Sequence, residues 1–385
     1  MLHPKSAARI QTIPETIFAT MSALAVEHNA VNLGQGFPDF DGPGWIIEEA
    51  YQAMKAAKNQ YAPLHGTRTL REAVAGYYAK SYGIEADTER EITVTSGATE
   101  ALYASITALI DPGDEALMFE PFYDAHQANV LLAGGTPKYI TLHKPDFTFR
   151  TEELERLISP NVKLLILNNP QNPLGKVFTR EELETLASYA VENDWIVISD
   201  EVYEFLTYDD AEHIPIATLP GMRERTITIS STGKTFGLTG WKIGYAVAPP
   251  ELTAAIRKVH QFTTFAVNTP GQIAMGHALG RLDKYLPEFR EQYARKRNML
   301  HNGLLKGQFA PHMPRGSYFM MVDIPSDLGM NDVELAQTLV KQHGVAVIPP
   351  SVFYGSSDEG GSMLRLCFAK TDATLQAGLE KLVEV

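Results

Sequence analysis

The sequence predicts an α/β fold: a large α/β domain with a mostly parallel sheet between helices, joined to a smaller α+β domain. Three observations carry that expectation. Short β-branched runs alternate with longer segments of helical composition from about residue 43 to 281. At 385 residues the chain exceeds one average core, so more than one unit is expected. After about Leu282 the alternation stops and a long amphipathic stretch begins. The expected division is 43–281 for the large domain, with 1–42 and 282–385 forming the small one.

In chain order, the apolar runs 92–95, 115–119, 163–167, 195–199 and 226–229 read as buried strands. Segments 98–109 and 180–192 read as helices, the second opened by a capping box of Thr179 and Glu182. The amphipathic stretch continues as a helix to about residue 306 and precedes a strand over 318–324, then helix, strand and helix. No internal repeat, low-complexity stretch or long linker interrupts this order.

Composition narrows the function classes. The 33 basic residues face 46 acidic ones, and a formal charge of -13 opposes nucleic acid and anionic membranes as partners. Cys367 is the single cysteine, so neither an internal disulfide nor a thiolate metal cluster can form within one chain. The 11 histidines show no ligand-like spacing, which leaves a metal site without support. Residues 1–10 hold no apolar run of signal-peptide length, and no eighteen-residue uncharged apolar window occurs. A cytoplasmic protein is the expectation.

Ligands of open α/β sheets collect at the carboxyl ends of the strands, and the unusual polar clusters here lie there. Ser96-Gly97-Ala98-Thr99-Glu100 places small residues at a helix start, whose amides can cradle a phosphate. Glu120-Pro121-Phe122-Tyr123 places rings at the same edge, for stacking on a planar ligand or for ordinary core packing. The turn from Asn168 to Gly175 is rich in Asn and Pro, and Asn172 can donate to a phenolate oxygen unless the turn is merely a connection. Asp200-Glu201-Val202-Tyr203 puts a carboxylate at the end of a buried strand, which calls for a cationic partner such as a protonated pyridine nitrogen.

The segment 230–237 holds Lys234 among small residues just past a strand. A nucleotide-binding loop would need glycine where Thr228 stands, so that reading fails. Lys234 suits either a solvated turn or a buried amine that forms a Schiff base with an aldehyde cofactor and shuttles protons. Taken together, the clusters describe a phosphorylated pyridine aldehyde: pyridoxal phosphate.

Asn172-Pro173-x-Gly175, Asp200-x-x-Tyr203 and Ser231-x-x-Lys234, with Trp241 seven residues on, resemble class I aminotransferases of the aspartate aminotransferase fold. These are fold type I pyridoxal-phosphate enzymes, and the resemblance spans essentially the whole chain. Residues 32–40, 59–63 and 233–235 resemble the branch of methionine aminotransferases and kynurenine/glutamine transaminases. The resemblance implies that Lys234 carries the cofactor and moves the proton, Asp200 holds the pyridinium, and Asn172 and Tyr203 bond the ring oxygen. Tyr123 would stack on the ring. Gly97, Ala98, Thr99, Ser231 and Lys242 would meet the phosphate, joined by Tyr61 from a partner subunit. Lysine at 242 stands where much of the superfamily has arginine, a mark of the branch.

For substrate, the resemblance makes Arg365 the clamp on the α-carboxylate, against the alternative of an arginine paired with a structural acid. Gly36 would close over the same end, Asn172 would assist, and Phe18, Tyr123 and a partner's Phe265 would line an aromatic pocket. Phe18 stands where some kynurenine-type relatives carry tryptophan. A homodimer with shared sites is implied. The expected activity is ping-pong transfer from an apolar, aromatic or sulfur-containing L-amino acid, methionine foremost, to a 2-oxo acid. A cysteine-conjugate β-lyase and a kynurenine/glutamine transaminase are the alternatives on the same site. A cofactor-binding regulatory module is opposed by the acidic charge and by the lack of a DNA-binding extension before the catalytic region.

Overall fold

A computed structural model describes residues 3, 5–13 and 15–385. Seven strands build the main sheet: β1 (Ile92–Ser96), β2 (Glu115–Glu120), β3 (Thr136–Thr141), β4 (Val162–Asn168), β5 (Ile196–Asp200), β6 (Thr226–Ser231) and β7 (Ile243–Val247). Their spatial order is β1-β7-β6-β5-β4-β2-β3. Neighbours from β6 to β3 pair in parallel, and β7 alone runs against both β6 and β1.

The continuous apolar runs follow from burial on both faces. Leu164 and Ile166 of β4 join Ala116 and Met118 of β2 in one cluster. Leu165 and Leu167, one step out of phase, join Leu117 and Phe119 in the other. Helix Gly97–Leu109 covers the first face with Ala101, Leu102 and Ala104. Helix Arg180–Glu192 covers the second with Leu183, Leu186 and Ala190, a spacing that places them on one helical stripe. Each buried leucine contributes roughly 1.5–3 kcal/mol. The capping box forms: Thr179 Oγ1 accepts from Glu182 N at 3.2 Å, and Glu182 Oε2 accepts from Thr179 N at 2.9 Å.

Two strands lack a legible signal in the sequence. β3 contains Pro137 and Lys138 and lies at the sheet edge, where apolar continuity is not required. β7 is masked by Gly244, which must be glycine because a Cβ there would lie 2.5 Å from the Gly97 carbonyl carbon. Elsewhere the expected limits shift slightly. The strand read as 195–199 runs Ile196–Asp200, so Asp200 closes it, and the helix read from 98 begins at Gly97. The long helix is Leu282–Leu304.

A second sheet is formed by β8 (Phe319–Asp323) and the antiparallel β9 (Met363–Cys367), with Met321 opposite Arg365 and Ala310–Pro311 on the outer side of β8. Val31–Asn32 pairs in parallel with Val345–Ala346. Leu33 O accepts from Cys367 N at 2.7 Å, which ties the segment after Asn32 to β9. Among the described residues no helix is long and apolar enough to cross a membrane.

Candidate active site

The sheet register gathers the polar strand ends. Asn168 lies opposite Asp200 and Ser96 opposite Ile243, with Ser231 closing β6 between them. These ends line a cavity of about 310 Å³, whose far wall comes from Gln35, Gly36 and Phe37 and from Phe319 and Arg365 of the second sheet.

Lys234 sits in the short helix Thr232–Thr235 that follows β6, half-buried in the cavity wall. Its Nζ donates to Gly36 O at 3.2 Å and to Tyr318 Oη at 3.1 Å. Burial lowers its pKa from the ordinary lysine value to about 8, with Lys242 and Arg365 pushing the same way and Asp200 opposing. An amine so placed is available as a nucleophile near neutral pH.

Asp200 is buried, and Oδ2 lies 3.0 Å from His126 Nε2. The sequence leads to a ligand nitrogen as the partner of Asp200; the structure adds a hydrogen-bond partner from the protein, His126 on helix Asp124–Ala133. His126 in turn meets the Tyr123 ring edge-on, with centroids 5.6 Å apart. Tyr203 is buried, and burial pushes its phenol well above the usual tyrosine value, so it remains a donor. Asn172 is fixed by its backbone N–H to Asn168 Oδ1 at 2.8 Å.

At the end of β1, Gly97 has φ +69 and opens the 13-residue helix, with Ala98 and Thr99 following. Lys242 Nζ donates to Thr99 Oγ1 at 3.1 Å, and a Cβ on Gly97 would come within 3.2 Å of that Nζ. Ser231 faces the same corner. Free amides, a hydroxyl and an ammonium converge there, an anion-binding arrangement.

Arg365 is fully buried. Nη1 donates to Asn172 Oδ1 at 2.9 Å and Nη2 to Gly34 O at 2.7 Å, while Nε has no partner. Its guanidinium carbon lies 4.2 Å from the Phe319 ring centroid and 4.9 Å from that of Phe18. Among the described residues no carboxylate pairs with it, which removes the alternative of a structural acid partner. Burial lowers its pKa to about 10, so it stays cationic at neutral pH and lacks a counter-ion.

All the sequence-derived candidates except two meet in this cavity. Tyr61 and Phe265 lie outside it, 84% and 46% exposed, and pack edge-on with centroids 5.6 Å apart. Among the described residues no group of three metal-ligating side chains is arranged to hold an ion. His126, Tyr318 and Phe319 are the site residues that the sequence reading misses. A lone histidine in a helical segment and aromatics beside an apolar strand read as core.

A family model for aminotransferase class I and II matches residues 28–382. The chain belongs to this family. Its members are pyridoxal-phosphate enzymes, and this aminotransferase has their fold type I architecture. It is similar to methionine aminotransferase of Escherichia coli, 42% identical over 97% of each chain. It is also similar to the kynurenine–oxoglutarate transaminase of Dictyostelium discoideum, 36% identical over 99% of this chain and 96% of that one. A crystal structure of an Escherichia coli protein with an identified methionine aminotransferase function superposes with a TM-score of 0.95 at 42% identity, covering 100% of both chains.

Proposed function

We propose that this aminotransferase takes the amino group of an apolar, aromatic or sulfur-containing L-amino acid, methionine foremost, and passes it to a 2-oxo acid by a ping-pong route on pyridoxal phosphate. The observation that carries the substrate class is that Arg365 is the one guanidinium among the described residues lining the cavity. One buried cation serves the α-carboxylate. A dicarboxylate donor would need a second, yet Phe18, Phe37 and Tyr123 occupy that space. The similarity to the Escherichia coli methionine enzyme favours a sulfur-containing donor. The aromatic lining and the Dictyostelium relative favour kynurenine as the second reading.

The residues fit the cofactor. The side-chain-free surface of Gly97 beside Lys242 suits a phosphate and the buried Asp200 suits a basic ring nitrogen, while the unpartnered Nε of Arg365 is left for the carboxylate of the substrate. When bound, the cofactor supplies an aldehyde that accepts the amino group and a ring that withdraws electrons from the α-carbon. Lys234 anchors it and then carries the proton to and from that carbon. Asp200, steadied by His126, holds negative charge against the ring nitrogen and keeps it protonated. Asn172 and Tyr203 donate to the ring oxygen, and Tyr123 covers the ring face. Gly97 and Ala98 amides, Thr99, Ser231 and Lys242 hold the phosphate, with Tyr61 of a second copy. Arg365 and Asn172 orient the substrate, Gly36 shields it from water, and Phe18 and a second copy's Phe265 receive its side chain.

This reading makes the protein a homodimer, supported by the exposure of Tyr61 and Phe265 away from their own cavity. It divides the chain into a large domain, 43–281, and a small one of 1–42 and 282–385, supported by the confinement of the seven-stranded sheet to residues 92–247. The single cysteine fits a reducing cytoplasm. The test is a donor ranking on the cofactor-loaded protein, read as bleaching of its visible band. Methionine is expected to bleach it at least roughly 100-fold faster than aspartate, the margin set by an unpaired buried carboxylate. Equal rates would overturn the substrate class.

A further inference from the structure

Tyr318 has no place in the roles above, yet it touches the reacting nitrogen. It lies just before β8 and is fully buried. Its ring is wedged between Tyr203, at a centroid distance of 5.0 Å, Phe319 at 4.9 Å and Tyr293 at 6.1 Å, so the hydroxyl cannot swing away. That hydroxyl donates its one proton to Gly36 O at 2.6 Å. Toward Lys234 it can therefore only accept, which it does at 3.1 Å, while the same Nζ also donates to Gly36 O at 3.2 Å.

A neutral primary amine has two N–H bonds and one lone pair. Both N–H bonds of Lys234 are committed, to Gly36 O and to Tyr318 Oη, so the lone pair is the one valence left. We propose that Tyr318 is a positioning residue for the reaction: it parks the freed Lys234 amine against the Gly36 loop and leaves its lone pair open to accept the substrate α-proton. The inference rests on Lys234 being the amine of the reaction. Burial pushes the Tyr318 phenol well above its usual value, so it holds the lysine without exchanging protons with it. Tyr318 also couples two events, because the carbonyl it grips belongs to the loop assigned to close over substrate.

The test is Tyr318→Phe in the cofactor-loaded protein, which deletes the hydroxyl and keeps the ring. With methionine as donor, kcat of the amine half-reaction is expected to fall about 10-fold with KM within twofold, the loss of one hydrogen bond to the base. The isotope effect with α-deuterated methionine rises as proton abstraction becomes limiting. Besides Tyr318, the groups facing Nζ are Asp200, Lys242, Arg365, Cys367 and Tyr203, and the variant leaves them in place. Loss of an acceptor disfavours the protonated amine, so the pH midpoint for capture of pyridoxal phosphate by the cofactor-free variant is expected to move down by about one unit.

An unchanged isotope effect and an unmoved midpoint would show that the hydroxyl only braces the loop, and would overturn the inference while leaving the aminotransferase reading intact. Wild-type protein without a lysine-dependent band would overturn both. If Tyr318→Phe does not fold, trifluorotyrosine at 318 keeps the shape with a weaker acceptor. A rate loss of about 3-fold is then expected, and a rate equal to wild type overturns the proposal.

Discussion

Lys234→Ala is expected to abolish the visible band of the cofactor-saturated protein and to lower kcat/KM for amino-group transfer by about 10⁴-fold or more. The size follows from the two tasks proposed for one nitrogen, anchoring the cofactor and moving the α-proton. The variant should fold, because the side chain it removes is half-buried against a cavity rather than packed in a core. A pH dependence accompanies this role. The neutral amine is the nucleophile, so capture of pyridoxal phosphate by the cofactor-free protein should rise with pH and level off above about 8, the value to which burial lowers Lys234. An ordinary exposed lysine would keep rising to above pH 10. Stopped-flow absorbance across that range reads the midpoint.

Arg365→Ala is expected to raise KM for methionine by about 100-fold, or some 2–4 kcal/mol, while the visible band of the resting protein survives. The two effects separate because Arg365 reaches the cavity from β9 and Lys234 from the end of β6, so on the proposed assignment substrate and cofactor depend on different sheets. Arg365→Lys should recover only part of the loss, since an ammonium cannot reproduce the fork that donates to Asn172 and Gly34. A KM unchanged in both variants, measured by initial rates against donor concentration, would move the carboxylate site elsewhere.

Much of this arrangement is legible in the sequence. β2, β4 and β5 are buried on both faces, so their apolar runs stand out, and polar residues such as Asp200 and Asn168 are conspicuous where those runs end. β3 escaped because an edge strand tolerates Pro137 and Lys138. β7 escaped because close approach of two backbones required Gly244 where a strand would carry a β-branched residue. In the site, Lys234, Asp200, Asn172 and Arg365 were visible as charged or amide groups in unlikely places. His126 and Tyr318 were not, since their partners lie 74 and 84 residues away in sequence and nothing local marks them as polar. Contacts made across the fold leave no periodic trace in the chain.

The most direct measurement of the central claim is borohydride reduction of the cofactor-loaded protein, followed by peptide mapping. The account expects one modified peptide, carrying the pyridoxyl mass on Lys234, and no such peptide after prior bleaching with methionine. The mass on Lys242 or on any other lysine, or its persistence after complete bleaching, would contradict the assignment of Lys234 and the mechanism built on it.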